Sequence, residues 1–284
     1  MDKVTASIKQ NDLKKIKFFN KVSNFNFNKY NENGDTPALI AIRYNKIEIV
    51  RYIFTKVPNL IKEDKTTLGD TGLMIATFNG NLDMIRLLVE EAMLDVNCQD
   101  DQGYTPLIAA CANNFLEIAY YFIVYAKCNY KKRNYDKQSA VHRAAFHGNT
   151  KTLRLLDAAT SLNINKKDKR GNTPLHYAAM NFHIQTMRFL LGRVGENCLY
   201  EKNNEGIIPL DYVMKNLEKV TKMRNFEHSF TEDQVLEYLD DPDQMPFEIE
   251  LPKKKKEEAE QSCDDSENNS SPDENESDDD ESNK

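Results

Sequence analysis

The chain has 284 residues, of which 40% are hydrophobic, and its formal net charge at pH 7 is -7. No run of about 18 apolar residues occurs, which excludes a membrane span, and five cysteines without paired spacing argue for a reducing compartment rather than a disulfide framework. The charge is unevenly divided: residues 1–228 carry 33 Lys and Arg against 24 Asp and Glu, whereas residues 229–284 are strongly acidic.

Residues 1–27 carry the apolar pattern of one amphipathic helix. Leu13, Ile16, Phe18 and Phe19 lie at helical spacing, which indicates a buried face, and nearby lysines would keep the other face in water. We expect a capping half-repeat here, an incomplete copy of the unit that follows it along the chain.

A short motif recurs throughout residues 28–225. Its clearest copy, residues 171–179, reads Gly-Asn-Thr-Pro-Leu-His-Tyr-Ala-Ala. The threonine position recurs every 34 or 35 residues, at Thr36, Thr71, Thr105, Ser139, Thr173 and Ile208. Thr is a good N-cap and Pro suits the first helical turn, so each motif predicts a helix start. A second apolar run with helical spacing follows each motif, which predicts stacked helical hairpins that share one core.

Six such boxes of the Thr-Pro-Leu-His-x-Ala type resemble the ankyrin repeat. The resemblance implies an all-α solenoid of about six helix-turn-helix units with β-turn fingers and a concave face lined by the inner helices. It also implies that His142 and His176 bridge neighbouring units rather than catalyse a reaction.

Two positions depart from the repeat. Lys137 replaces the glycine that supplies a left-handed turn in the other fingers, which is expected to weaken the fourth finger turn or to change its type. Phe182 replaces the glycine or asparagine between the two helices of a unit, so either the turn of the fifth unit differs or its backbone is strained.

The C-terminal part divides in two. Residues 226–241 are predicted to form a capping helix, because Thr231 and Gln234 make a capping-box pattern before a short apolar face. Residues 242–284 are too polar to repay ordering entropy and are predicted to be a disordered linker, basic run and acidic tail.

The tail contains two kinds of candidate signal. A basic run that resembles a nuclear-import signal consists of Lys253, Lys254, Lys255 and Lys256. Four serines have an acidic residue three positions later, as sites of acid-directed kinases do: Ser262, Ser270, Ser271 and Ser277.

The two positions after the alanine pair of each inner helix are predicted to face a partner. The candidate partner-binding residues there are Tyr44, Phe78, Asn79, Asn113, Phe146, His147, Met180 and Asn181. Large apolar residues that the fold does not bury favour recognition. We call the first residues of these pairs (Phe78, Phe146 and Met180) the first predicted set and the second residues (Tyr44, Asn79, Asn113, His147 and Asn181) the second predicted set. The alternative is that the first residue of each pair packs on the neighbouring unit.

Basic residues precede the fourth and fifth boxes with matching spacing. The predicted ridge consists of Lys132, Arg133, Lys166, Lys167, Lys169 and Arg170. Because some of these residues are 34 apart, they should align on adjacent fingers. The ridge is either a solvated edge or a dock for an acidic partner, including the protein's own tail.

The sequence gives little support for a catalytic, cofactor-binding or metal site. No nucleophile motif, phosphate-binding loop or metal-ligand spacing occurs, so neither a catalytic residue nor a cofactor, metal or small-molecule substrate is expected. Direct nucleic-acid binding is not expected either, because the aromatic stacking or groove-reading helix of specific recognition is missing.

These patterns favour a monomeric, non-enzymatic scaffold or adaptor in the cytoplasm or nucleus, which binds a protein partner and is regulated by its acidic tail. One alternative is an inhibitor of a basic, nucleic-acid-binding partner, which would resemble the NF-kappa-B inhibitor class in architecture. Another alternative is an effector that acts in the cells of a host.

Overall fold

The computed structural model describes residues 1–23, 25–57, 64–160, 162–223 and 231–240. In these residues the regular structure is helical, and an isolated bridge joins Lys65 to Thr71. The α-helices are α1 (Asp2–Lys9), α2 (Leu13–Ser23), α3 (Pro37–Arg43), α4 (Ile47–Lys56), α5 (Gly72–Phe78), α6 (Leu82–Arg86), α7 (Pro106–Ala112), α8 (Leu116–Tyr120), α9 (Ala140–Phe146), α10 (Thr150–Ala159), α11 (Pro174–Met180), α12 (Ile184–Val194), α13 (Pro209–Met223) and α14 (Glu232–Asp240). Short helical segments of other kinds are the π-helices Leu87–Glu91 and Tyr121–Tyr125 and the 3-10 helix Glu196–Tyr200.

The inner helices α3, α5, α7, α9 and α11 begin where the motif predicts, because the Thr or Ser residue of the motif caps each of them. At the start of α13 the position is Ile208, and its amide donates to Oδ2 of Asp211 at 3.0 Å. The Thr36 hydroxyl accepts a hydrogen bond from the Leu39 amide at 3.3 Å, and Thr71 and Thr105 act in the same way. At Thr173 the cap is reciprocal, because Nδ1 of His176 accepts from the Thr173 amide at 3.1 Å. The first turn of each inner helix therefore has partners for its free amides.

A polar residue five positions before the Thr-like residue closes each finger turn. In the third finger, Oδ1 of Asp100 accepts from the amides of Gln102 at 2.9 Å and Tyr104 at 2.8 Å. Gly103 then takes a left-handed φ of 80°. Lys137 takes the same conformation in the fourth finger, with a φ of 60°, so the expected change of turn type is wrong. The Asn134 side chain holds that turn closed by accepting from the Gln138 amide at 2.7 Å.

The turn between the two helices is also the same in the fifth unit as elsewhere. The Phe182 amide donates to the Ala179 carbonyl at 3.1 Å, as the Gly148 amide does to Ala145 at 3.2 Å. Phe182 takes a left-handed φ of 57°. Of the two expectations for this position, backbone strain is therefore the correct one, at about 1–2 kcal/mol for a residue with a Cβ.

The core is continuous along the stack. Each inner helix from α3 to α13 packs against the next inner helix, and α8, α10 and α12 pack in series on the outer side. Close approach is possible because a fully buried alanine, 0% exposed, recurs in each of the first five inner helices: Ala41, Ala76, Ala110, Ala144 and Ala178. Each unit thus buries its apolar face against its neighbours rather than within itself.

The two ends of the stack carry additional helices. At the N-terminus, α1 packs on α3 and α2 packs on α4, so this segment supplies an inner as well as an outer helix. Ile16 is buried as predicted, whereas Phe18 is 59% exposed and lies outside the core. At the other end, α14 packs on α12 and begins with reciprocal bonds between Thr231 and Gln234. The predicted tail at residues 242–284, with its lysine run and candidate serines, lies outside the described residues.

Candidate protein-binding surface

A cleft of about 580 Å³ lies between the inner helices and the fingers of the second to fourth units. Phe78 from the end of α5, Tyr104 from the third finger, Arg143 from α9 and His147 after it line this cleft. We call these four residues the inner groove. The Phe78 side chain is 47% exposed, although it sits among inner helices that bury most of their apolar residues.

Arg143 is the fixed cation of the inner groove. Its guanidinium lies 5.5 Å from the ring centre of Tyr104 and 5.0 Å from that of Phe146. Its Nη2 also lies 3.2 Å from Nε2 of His147. Partial burial and the nearby Arg143 charge lower the pKa of His147, so the imidazole is neutral at pH 7 and accepts this hydrogen bond.

Carboxylates form the edge of the cleft on the finger side. Asp70, Asp100 and Asp101 line it there, beside Phe78. Burial, with the neighbouring Asp100 and Asp101 charges, raises the pKa of Asp70 above its ordinary value. The cleft therefore combines an aromatic wall, a central guanidinium and an acidic edge.

The other residues of the first predicted set are less open than Phe78. Phe146 is half-buried, with its ring edge-on to Tyr177 at 5.8 Å and to His147 at 5.0 Å. Met180 is also half-buried, at the end of α11. Much of the Phe146 side chain therefore packs on the neighbouring unit, which is the alternative to partner binding at these positions.

The asparagines of the second predicted set make hydrogen bonds within the stack. Nδ2 of Asn79 donates to the Arg43 carbonyl at 3.0 Å, and Nδ2 of Asn181 donates to the Phe146 carbonyl at 3.0 Å. Nδ2 of Asn113 stays within its own helix and donates to Ala109 at 2.9 Å. These amides satisfy carbonyls at helix ends. Tyr44, the corresponding residue of the first unit, remains 43% exposed.

Three members of the predicted basic ridge connect adjacent fingers. Nη2 of Arg133 donates to the Lys167 carbonyl at 2.5 Å, and Nζ of Lys132 donates to the Asn97 carbonyl at 2.7 Å. Nζ of Lys167 in turn donates to the Lys202 carbonyl at 2.8 Å. We call Lys132, Arg133 and Lys167 the finger staples, since each links its own finger to the next or the preceding one.

The remaining cations of the ridge face solvent. Lys166, Lys169 and Arg170 are exposed, and among the described residues none of them forms an ion pair with a carboxylate. Lys131, in the preceding finger, is also exposed and lies 6.0 Å from the ring centre of Tyr130. We call these four residues the basic finger edge. Their charges are available to a partner without loss of a hydrogen bond between fingers.

A buried hydrogen-bond network that the sequence did not reveal ties α11 to two fingers. The Tyr177 hydroxyl donates to Oδ2 of Asp168 at 2.6 Å and accepts from Nε2 of Gln138 at 2.7 Å. Burial and the Asp168 charge raise the pKa of Tyr177 to about 12. The recurrence of Asn, Thr or Asp five residues before each box was the signal for the finger part of this network.

The histidines of the boxes are structural in their contacts. His176 accepts through Nδ1 at its own helix start, and its Nε2 lies 3.2 Å from the Ile207 carbonyl of the next unit. Burial lowers the pKa of His142 to about 4, which keeps that ring neutral at pH 7. Within the described part of the chain, no three His, Cys, Asp or Glu side chains form a group that could hold a metal ion. Among the described helices, none has the length and apolar character needed to traverse a bilayer.

Comparison with known families matches the repeat region. A model described as ankyrin repeats, in three copies, matches overlapping segments at residues 4–100, 55–134, 91–166, 120–202 and 141–223. The chain belongs to the ankyrin-repeat family. Ankyrin repeats are in general non-catalytic scaffolds, and their presence here indicates a protein–protein interaction module.

Individual ankyrin-repeat relatives differ widely in size and setting. The chain is 26% identical over 166 residues to the probable 26S proteasome regulatory subunit p28 of Saccharomyces cerevisiae, covering 58% of this chain and 72% of the relative. It is 26% identical over 165 residues to human transient receptor potential cation channel subfamily A member 1, covering 56% and 14%. It is 34% identical over 88 residues to alpha-latrocrustotoxin-Lt1a of Latrodectus tredecimguttatus, covering 31% and 6%. The chain therefore spans only a small part of the channel and of the toxin.

Proposed function

We propose that this protein is a non-catalytic adaptor that holds a protein partner against the inner groove and the basic finger edge. The observation that carries the proposal is Phe78, a large aromatic residue left 47% exposed beside a cleft. Exposed apolar surface of this kind favours contact with a partner, since aromatic anchors in pockets supply much of the energy of protein interfaces.

The charges of the basic finger edge and of the cleft indicate what the partner presents. Lys166, Lys169 and Arg170 would attract an acidic patch, and the carboxylates near Phe78 would attract a basic group. An extended partner surface with an acidic end, an apolar anchor and a basic end therefore fits best. Such complementarity determines orientation and the rate of encounter more than it determines affinity.

The experiment compares capture of partners by the wild-type chain and by a Lys169→Glu/Arg170→Glu variant. Within the described part of the chain, neither side chain makes a hydrogen bond or an ion pair, so the thermal midpoint should not change while capture of an acidic partner falls by about tenfold. A matched control is Lys215→Glu/Lys219→Glu, the same charge change on exposed positions of α13. Equal capture by all three proteins would discard the basic finger edge as a binding site.

The finger staples should be left out of this test. Replacing Lys132, Arg133 or Lys167 with Glu would remove hydrogen bonds between fingers, and a loss of binding would then report a loss of structure.

We infer a regulatory role for the acidic segment from its charge alone, with the protein acting in the cytoplasm or nucleus. Phosphorylation of Ser262, Ser270, Ser271 or Ser277 would add further negative charge. If the segment instead masks the basic surface of a partner, as in an inhibitor, a chain without residues 242–284 should lose that partner. Retention of every partner by the shortened chain would discard the inhibitor alternative.

A further inference from the structure

A second cleft, of about 630 Å³, lies on the outer helices of the second to fourth units. It shares no lining residue with the inner groove, so what binds there is independent of the function proposed above. Leucines from three successive units contribute its aliphatic lining: Leu82, Leu116 and Leu155. Leu116 is 40% exposed, so part of this aliphatic lining is open to solvent.

The aromatic wall of this cleft depends on a local departure from α-helical geometry. The chain after α8 is a π-helix, in which the Ala126 amide donates to the Tyr121 carbonyl at 2.9 Å. Because residues five apart approach each other in this geometry, the ring centre of Tyr125 lies 5.9 Å from that of Tyr120. The Tyr125 ring also stacks on Tyr121, four residues before it, with 6.1 Å between ring centres. The Tyr121 hydroxyl donates to Oε1 of Glu90 at 2.9 Å, which fixes that ring on the preceding unit.

Two of the three tyrosines remain open to solvent. Tyr120 is 44% exposed and Tyr125 is 66% exposed, whereas Tyr121 is buried behind them. In an ordinary α-helix, with about 3.6 residues per turn, side chains five residues apart point in different directions, so the two exposed rings would not lie on one wall. We call Tyr120, Tyr121 and Tyr125 the tyrosine wall. Its exposed rings do not contribute to the core of the stack.

Cations lie on both sides of the tyrosine wall at the repeat spacing. Arg86 and Arg154 are each 34 residues from Tyr120, so the three occupy the same position on successive outer helices. The Arg86 guanidinium lies 5.8 Å from the Tyr121 ring centre, and that of Arg154 lies 5.2 Å from the Phe189 ring centre. Lys151 contributes a third positive charge to the lining.

These three cations form no salt bridge within the described part of the chain. The side chains of Arg86, Lys151 and Arg154 are all exposed. Glu117 is the acidic residue of the lining, so positive charge prevails around an apolar cleft. The complementary occupant is negative at its edges and apolar at its centre.

We propose that this outer cleft binds an acidic peptide segment of a partner protein that inserts aliphatic or aromatic side chains between the tyrosine wall and the three leucines. Acidic side chains of the peptide pair with Arg86, Lys151 and Arg154. A peptide fits better than single-stranded nucleic acid because the floor is aliphatic and because Tyr121 and Tyr125 already stack on each other, which leaves fewer free faces for bases.

The test is a selection of random peptides displayed on phage, carried out in parallel on the full wild-type chain and on the full Tyr120→Ala/Tyr125→Ala variant. Peptides that combine Asp or Glu with Leu, Ile or Phe should be enriched on the wild-type chain alone. A selected peptide, labelled with fluorescein, should bind the variant about tenfold more weakly in fluorescence anisotropy. Higher ionic strength should weaken its binding to the wild-type chain.

Charge-reversal and tyrosine variants outside the cleft serve as controls that distinguish binding at this site from nonspecific binding. Lys151→Glu/Arg154→Glu should weaken the same peptide about tenfold, whereas Lys215→Glu/Lys219→Glu and Tyr30→Ala should not. Tyr30 is a suitable comparison because it is 60% exposed and lies outside the cleft. Circular dichroism of each variant verifies the fold, which should be retained because Tyr120 and Tyr125 are 44% and 66% exposed.

Three results would overturn the proposal. Peptides without acidic residues, or peptides that bind the variant equally well, would show that the tyrosine wall and its cations do not select this chemistry. Tighter binding of a fluorescein-labelled oligothymidylate than of the peptide, lost in the tyrosine variant, would assign the cleft to nucleic acid. A dimer in sedimentation velocity that the tyrosine variant abolishes would make a second copy of the chain the occupant.

Discussion

Replacing Phe78 and Phe146 separately with Ala should separate binding from packing on the inner-helix face. Phe78 is 47% exposed, so its truncation should lower the free energy of unfolding by only about half of the burial energy of a phenylalanine, about 1 kcal/mol. Phe146 is more deeply buried than Phe78. Its truncation also removes the edge-on contact with the Tyr177 ring and the contact with the Arg143 guanidinium, which lies 5.0 Å from the Phe146 ring centre. With about 1 kcal/mol for each of these two contacts and at least about 1 kcal/mol for lost burial, its truncation should cost about 3 kcal/mol.

The two variants should therefore differ clearly in thermal unfolding. For a domain of this size about 1 kcal/mol corresponds to roughly 3 °C, so the Phe78 variant should melt about 3 °C lower and the Phe146 variant about 9 °C lower. Differential scanning calorimetry measures both shifts under identical buffer conditions. Partner capture, in contrast, should fall more for Phe78→Ala, because its exposed ring is the part that a partner can cover.

The reasoning fails if the order of the two shifts is reversed. A fall of about 9 °C for Phe78→Ala would mean that its ring belongs to the core, and the inner groove would lose its anchor. An unchanged midpoint for Phe146→Ala would mean that the ring contacts at Tyr177 and Arg143 contribute nothing to stability.

Three further predictions concern the repeat itself. Lys137→Gly should raise the free energy of unfolding in urea by about 0.5 kcal/mol, since the φ of Lys137 is 60°. Gly103→Ala should lower the free energy of unfolding by about 2 kcal/mol, because the added Cβ would lie 2.9 Å from the Tyr135 amide nitrogen. The pKa of His142 is lowered to about 4 in the folded chain, so between about pH 6.5 and 4 the unfolded chain binds a proton that the folded chain does not bind. The free energy of unfolding should therefore fall as the pH drops through this range, and His142→Gln should remove this part of its pH dependence. The opposite trend from Asp64, whose pKa is raised to about 6, is common to both proteins and cancels in their difference. Arg133→Gln should cost about 1–2 kcal/mol in urea unfolding through loss of its bond to Lys167, whereas Lys169→Gln should cost almost nothing.

Much of the fold was accessible from the sequence because it depends on local chemistry. Thr105 and Pro106 signal a helix start wherever they occur, and the 34-residue spacing requires that like units stack. The α1 helix was missed because it carries no such box and is recognisable only by its packing on α3. The alternative that the Lys137 turn changes its type is wrong because a closing asparagine, Asn134, maintains the turn without a glycine.

The candidate site was less accessible because exposure depends on the register between neighbouring units. Spacing aligned Arg133 with Lys167, but the sequence could not show that the guanidinium bonds to the neighbouring backbone carbonyl and so serves the stack. Phe78 and Phe146 occupy equivalent positions, yet only Phe146 meets an aromatic neighbour, Tyr177, in the next unit. The tyrosine wall could not be predicted from the sequence because it requires a π-helix, and no local pattern in residues 120–125 indicates one.

The most direct test of the central claim is photo-crosslinking from the inner groove in the protein's own cells. A benzophenone amino acid placed at Phe78 should crosslink to a discrete partner protein, and adding Lys169→Glu/Arg170→Glu to the same chain should weaken that crosslink about tenfold. The same probe at Tyr30, which is 60% exposed but lies outside the groove, should not crosslink to that partner. Equal crosslinks from both positions, or none from position 78, would contradict the account of this surface as a protein-binding site.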